Sequence, residues 1–113
     1  VLNQLVIVGR LVKDPELKET DNGKKVSNIT LAIPRSYKNS EGEYDTDFIN
    51  CILWQGIAET TSEYCHKGDL IGIKGRVESS LDKDGKNSMN LIADKVTFLS
   101  SKNKEQERQE DVR

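Results

Sequence analysis

Apolar residues in this chain recur in short bursts, mostly with period two, which is the spacing of half-buried strands. Leu2 to Val12 alternates around a β-branched middle and predicts a first strand. Gly9 within it marks a bulge or bend, and Asp14-Pro15 ends it. Asp21-Asn22-Gly23 is a turn signal, after which Lys25 to Ile33 predicts a second strand closed by Pro34. Arg35 to Asp45 is polar and reads as a hairpin loop, and Thr46 to Trp54 predicts a third strand. From Gly56 to Lys67 the spacing turns helical. Ile57 and Tyr64 fall on one side, with Gly68 as a C-terminal stop, so one helix of about three turns is expected. Leu70 to Glu78 predicts a fourth strand, with Gly72 and Gly75 permitting curvature. Asp82-Lys83-Asp84-Gly85 is a hairpin turn, and Asn90 to Leu99 predicts the fifth strand.

Three strands, a helix and two more strands are the plan of an all-β OB-fold, a five-stranded Greek-key barrel with its helix between strands three and four. The pattern assigns residues 1–99 to one such domain, which a chain of 113 residues can fill. Beyond Leu99 the pattern breaks. Ser100 to Arg113 holds one aliphatic residue, four basic and four acidic ones, and predicts a disordered polar tail.

The third strand carries the chemistry. Ile49, Cys51 and Leu53 share an apolar face that suits a core. Phe48, Asn50, Ile52 and Trp54 share the other. Trp54 is the only tryptophan and Phe48 one of two phenylalanines. From the strand alone, two readings of that face stand side by side. It is a stacking platform for nucleobases, or a second buried face against another sheet or a subunit.

Charge constrains the choice. A net charge of −2 argues against the ordinary basic kind of nucleic-acid binder. Seventeen Lys and Arg residues still leave room for a basic groove on an acidic body. The aliphatic run Leu5 to Val8 is too short to span a bilayer, and the first residues carry no signal-peptide pattern. Cys51 and Cys65, with no C-x-x-C, read as free cytosolic thiols rather than a disulfide or zinc site. No catalytic constellation emerges. His66 stands alone, and there is no nucleophile elbow or P-loop. Asp82-x-Asp84-Gly85 starts like a calcium loop, but its glycine comes too early and its twelfth position is Ala93. Asp45 and Asp47 share a face without a third ligand and read as solvated. No enzyme activity, metal or cofactor is expected.

Several blocks point to a family. N-Q-L-V-I-V-G-R-L at Asn3 to Leu11 and D-P-E-L at Asp14 to Leu17 are followed by S-N-I-T-L-A at Ser27 to Ala32. D-F-I-N-C-I-L-W at Asp47 to Trp54, Y-C-H-K-G at Tyr64 to Gly68 and I-K-G-R-V at Ile73 to Val77 complete the series. In this order they resemble the bacterial single-stranded DNA-binding proteins. The resemblance favours the platform. It implies an OB-fold homotetramer, in the bacterial cytoplasm and associated with the nucleoid, that wraps single-stranded DNA without strong sequence preference in replication, recombination or repair. By matching position, Tyr37, Phe48 and Trp54 are the expected stacking residues. Arg10, Arg35, Lys38, Lys67 and Arg76 are the expected phosphate contacts. Three departures qualify the match. Leu81 stands near an aromatic that many members carry on the arm between strands four and five. Asn50 and Gly56 replace basic residues of some members. The chain ends in D-V-R at Arg113, so it resembles the short members that lack the partner-recruiting acidic tip. The alternative from another class is a primosome-type adaptor acting mainly through protein partners.

Overall fold

A computed structural model gives the fold of residues 2–101. The expected tail lies, from residue 102 onward, outside the described residues. The elements are β1 (Leu5–Leu11), β2 (Lys18–Glu19), β3 (Lys25–Lys38), β4 (Tyr44–Trp54), α1 (Gln55–Tyr64), β5 (Leu70–Leu81) and β6 (Asn87–Ser100). The long strands pair in the order β1-β5-β6-β4-β3, and β3 returns to β1 at Arg10↔Ala32 and Leu11↔Leu31 to close a barrel. Among the described residues only β4 and β6 pair in parallel, through Cys51↔Leu91 and Ile52↔Ile92. This is the expected OB-fold, with α1 between the third and fourth barrel strands.

Alternation sorts each strand into an inner and an outer set. Ile29, Leu31, Cys51, Leu53, Ile71 and Ile73 fill the interior at 2% exposure or less. Helix α1 seats Ala58 and Thr61 against the barrel. Both cysteines are free and buried. Burial pushes the Cys51 thiol up to about 11, and burial together with the Asp69 carboxylate raises that of Cys65.

Two glycines are set by closeness of approach. Gly9, expected to mark a bulge or bend, carries no register slip, and the β1–β5 ladder runs unbroken from Leu5↔Gly75 to Arg10↔Leu70. A Cβ there would lie 2.8 Å from Ile33 Cγ1 and 2.9 Å from the Ala32 carbonyl oxygen. Gly9 therefore lets β3 close onto β1. At Gly75 the β5–β6 register slips, and a Cβ would collide with the Ile92 carbonyl oxygen. This bulge is where the sheet curves.

The strands run further than the alternation predicts. Pro34 does not end β3. It faces Thr46 in register, and a slip between Pro34 and Lys38 absorbs the missing donor before Lys38 meets Tyr44. The loop shrinks to a tight turn in which the Asn39 side-chain oxygen accepts from the Glu41 and Glu43 amides. The arm is likewise a paired ribbon as far as Leu81↔Asn87, and Asp82 folds its tip by accepting from the Asp84 and Lys86 amides. Two-residue β2 escapes any periodicity; it hooks onto β3 through Lys18↔Val26. The helix stops at Tyr64, earlier than expected, because Cys65 is extended. Gly68, at φ +90, serves the turn that follows, where Asp69 Oδ2 accepts from the His66 amide.

Candidate nucleic-acid interface

The two faces of β4 are as the alternation predicts. Cys51 and Leu53 are fully buried, while Phe48 is 65% and Trp54 37% exposed. Across the β3–β4 ladder, Phe48 faces Ala32, Asn50 faces Thr30, Ile52 faces Asn28 and Trp54 faces Val26. Ala32 is small and leaves the Phe48 ring open, while Trp54, opposite Val26, keeps about a third of its surface exposed. Six residues separate them, or roughly 20 Å at about 3.3 Å per residue. Between them Thr30 Oγ1 donates to Asn50 Oδ1 at 2.6 Å. A cavity of about 320 Å³ opens there toward the arm, lined by Asn28, Asn50 and Ile52 on one side and Met89 to Leu91 on the other. Trp54 also walls a second groove of about 770 Å³ between α1 and β6, with Tyr64 and Phe98.

A third ring joins this face from a stretch whose polar sequence predicts a loop. Tyr44 is 58% exposed and shares the alternation of Thr46 and Phe48. The Lys38 ammonium lies 5.8 Å from its centroid. Recognising Tyr44-x-Thr46-x-Phe48 as a continuation of the strand is the signal that finds it. Tyr37 is also exposed, but its neighbour is the Arg35 guanidinium, 5.9 Å from its centroid. Arg35 is held by Asp47, which leaves β4 on the side opposite Phe48. Tyr37 is thus grouped with Arg35 and Asp47, and Tyr44 lines up with Phe48.

The expected cations divide into two groups. Lys38 sits on Tyr44, and the Lys67 side chain is exposed while its amide donates to Asp14 Oδ1. The three arginines are engaged within the protein. Arg10 Nη1 donates to the Gly68 carbonyl at 3.0 Å, and the Gly68 amide donates back to the Leu11 carbonyl at 2.8 Å. Together these fasten the turn after α1 to the end of β1. Arg35 forms a fork on Asp47, with Nε 3.1 Å from Oδ2 and Nη2 3.0 Å from Oδ1, while Nη1 lies 3.8 Å from Asp45. Arg76 donates from Nε to Glu78 at 2.8 Å and from Nη1 to Asp94. The hydrogen bond from Arg35 and its charge hold the Asp47 carboxyl below the usual range and raise the guanidinium in turn. Asp45 and Asp47, expected to be merely solvated, are therefore partners of an arginine. Among the described residues no group of three or more His, Cys, Asp or Glu side chains could hold a metal, and no helix is long and apolar enough to cross a membrane.

A small closed barrel with exposed aromatic rings along the outer face of its third strand, and a further ring and cations on the hairpin that joins it to the second, fits an oligonucleotide-binding barrel. Comparison with known proteins makes this specific. The chain belongs to the single-strand binding protein family, whose match covers residues 2–99. It is 43% identical over 109 residues to single-stranded DNA-binding protein B of Bacillus subtilis, spanning 93% of this chain and 96% of that one. It is 43% identical over 107 residues to single-stranded DNA-binding protein 2 of Staphylococcus aureus, 91% of this chain and 76% of that one. With the single-stranded DNA-binding protein of Halalkalibacterium halodurans the identity is 44% over 103 residues, 88% of this chain but 61% of its relative. The chain thus spans less than two thirds of several longer relatives.

Proposed function

We propose that the protein binds single-stranded DNA without strong sequence preference, as a non-enzymatic participant in replication, recombination or repair in the bacterial cytoplasm. Bases stack on Phe48 and Trp54, with Tyr44 and Tyr37 as flanking rings. Lys38, Lys67, Arg35 and Arg76 meet the phosphates. Arg10 contributes by holding the turn that carries Lys67. Family membership and the names of the relatives support this reading. The observation that carries it is the pair of solvent-accessible rings, Phe48 open and Trp54 partly so, on the outer face of β4. Each stacked base is worth roughly 1–3 kcal/mol and requires no particular sequence, since every base has a π face.

Trp54 is the only tryptophan, so its fluorescence reports on one station. Titration with oligo-dT is expected to quench it. No quenching and no gel shift would refute the reading, and that is the result a purely protein-directed adaptor would give.

The assembly is a homotetramer in this reading. Support comes from β1, which among the described residues pairs with β3 at Arg10 and Leu11 alone, so that one edge of Leu5 to Gly9 has no strand partner among them. Val6 and Val8 are exposed on it, at 70% and 45%. An uncovered apolar edge is a place for another copy to pair. Light scattering at micromolar concentration is expected to give four times the chain mass; a stable monomer would overturn the assembly.

A further inference from the structure

Two of the cations expected to meet phosphate already hold carboxylates in the free protein. The Asp47 oxygens fill the fork of Arg35, with Asp45 close behind. Glu78 and Asp94 flank Arg76 from the same strand and the neighbouring one. A guanidinium presents the same planar donors to a carboxylate as to a phosphate, so the two ligands compete for them. A phosphate arriving at Arg35 has to displace Asp47. The exchange trades one charge-assisted bond for another, and the counterion released by the DNA is offset by the cation that the freed Asp47 takes up, so the arginine adds little to the net release.

We propose that Asp47 and Glu78, with their neighbours Asp45 and Asp94, are specificity-determining residues that occupy the phosphate-facing donors of Arg35 and Arg76. They make the protein reject polyanions that offer charge alone. The proposal rests on the single-strand reading above. A duplex or a sulfated polysaccharide brings only its charge, and here it meets arginines that are already neutralised. A single strand brings unpaired bases as well, and Phe48 and Trp54 take them whatever the arginines do. The carboxylates therefore cost the charge-only ligand more of its affinity than the stacked one. Discrimination arises from a built-in penalty against the wrong partner rather than from extra contacts to the right one.

The test uses the full chain and three variants: Asp47→Asn, Glu78→Gln, and Asp21→Asn as a control. Asp21 is an exposed turn carboxylate that pairs with neither arginine and removes the same formal charge. Binding to short oligo-dT, to duplex DNA of equal length and to heparin is measured across a salt series, with a thermal melt to establish folding. Asp47→Asn is expected to tighten duplex and heparin binding about tenfold and oligo-dT by about threefold, because a charge-assisted bond becomes available. Its log-affinity slope for oligo-dT against log salt should steepen by about 0.7, one more neutralised phosphate. Glu78→Gln should shift both in the same direction through Arg76, so a folding defect at either site leaves the other decisive. Asp21→Asn should stay at wild type. Unchanged duplex affinity and slope in both arginine-partner variants would overturn the proposal. So would weaker binding, which would make the carboxylates positioners of the arginines, or an equal gain in the control, which would make the effect one of net charge. A wild-type protein that fails to bind oligo-dT removes the reading underneath instead, and the proposal with it.

Discussion

At the scale of single residues, neighbours on β4 have opposite fates. Leu53 is fully buried, so Leu53→Ala should cost roughly 2–5 kcal/mol of stability through transfer and cavity terms. Trp54, next in the chain, stands on the other face. Trp54→Ala and Phe48→Ala should each weaken oligo-dT binding by roughly 1–3 kcal/mol. Phe48→Ala should leave the melting temperature nearly unchanged, and Trp54→Ala, whose ring is largely covered, should lower it less than Leu53→Ala does. Denaturation paired with binding titrations checks both; a Leu53→Ala that binds poorly while fully folded would reverse the faces. Cys51 adds a pH dependence of definite sign. Its thiol is raised from the ordinary 9.0 to about 11 by burial. The native state therefore keeps a proton that the unfolded chain begins to lose near pH 9. Stability should be intact below that pH and should decline as pH rises toward 11. Chemical denaturation across this range should show the decline in wild type and a smaller one in Cys51→Ala. These faces were legible because alternation needs only side-chain type and strand identity, and T-D-F-I-N-C-I-L-W supplies both. The pairing of Arg35 with Asp47 was not legible, because it depends on which residues the β3–β4 register brings together across the hairpin.

At the scale of elements, the five barrel strands and the helix were readable, and their ends were not. A proline normally leaves a ladder, and only the slip after Pro34 shows how β3 continues to Lys38. The arm reads as polar sequence, yet its backbone pairs as far as Leu81↔Asn87. A ribbon is stabilised there by backbone hydrogen bonds and by the Asp82 turn, and neither leaves a hydrophobic period to find. Leu81 and Met89 are exposed along this ribbon. In the proposed complex the ribbon borders the DNA path, and an aromatic ring at Leu81 should add a stacking station. Leu81→Trp should strengthen oligo-dT binding by roughly 1–3 kcal/mol; isothermal titration would show it, and no gain would place the arm outside the path. Gly75 marks the element-level limit on substitution. Gly75→Ala drives a methyl into the backbone carbonyl of Ile92, so the arm and barrel cannot both keep their register. A clear loss of melting temperature is expected, whereas exposed Gly56, with open space around it, should accept alanine without such a loss.

At the scale of the whole molecule, a net charge of −2 and a DNA-binding reading are reconciled by where the charges sit. Of the five cations expected at the interface, Arg35 and Arg76 carry carboxylates and Arg10 is engaged by the Gly68 carbonyl. Lys38 and Lys67 are exposed, and their ammonium groups share no ion pair with a carboxylate among the described residues. Electrostatics should then be the smaller share of the affinity and stacking the larger. For single strands the slope of log affinity against log salt is about −0.7 for each phosphate neutralised. With the net counterion release carried by Lys38 and Lys67, and the arginines exchanging a carboxylate for a phosphate, a short oligo-dT on one barrel should give a slope of about −1.4. Binding should persist at moderate salt, and Trp54→Ala should lower the affinity at every salt concentration without changing the slope, because stacking releases no counterions. A slope of about −4 or steeper, as six phosphates would produce, would contradict the dominance of the rings. So would a Trp54→Ala variant whose slope changed along with its affinity.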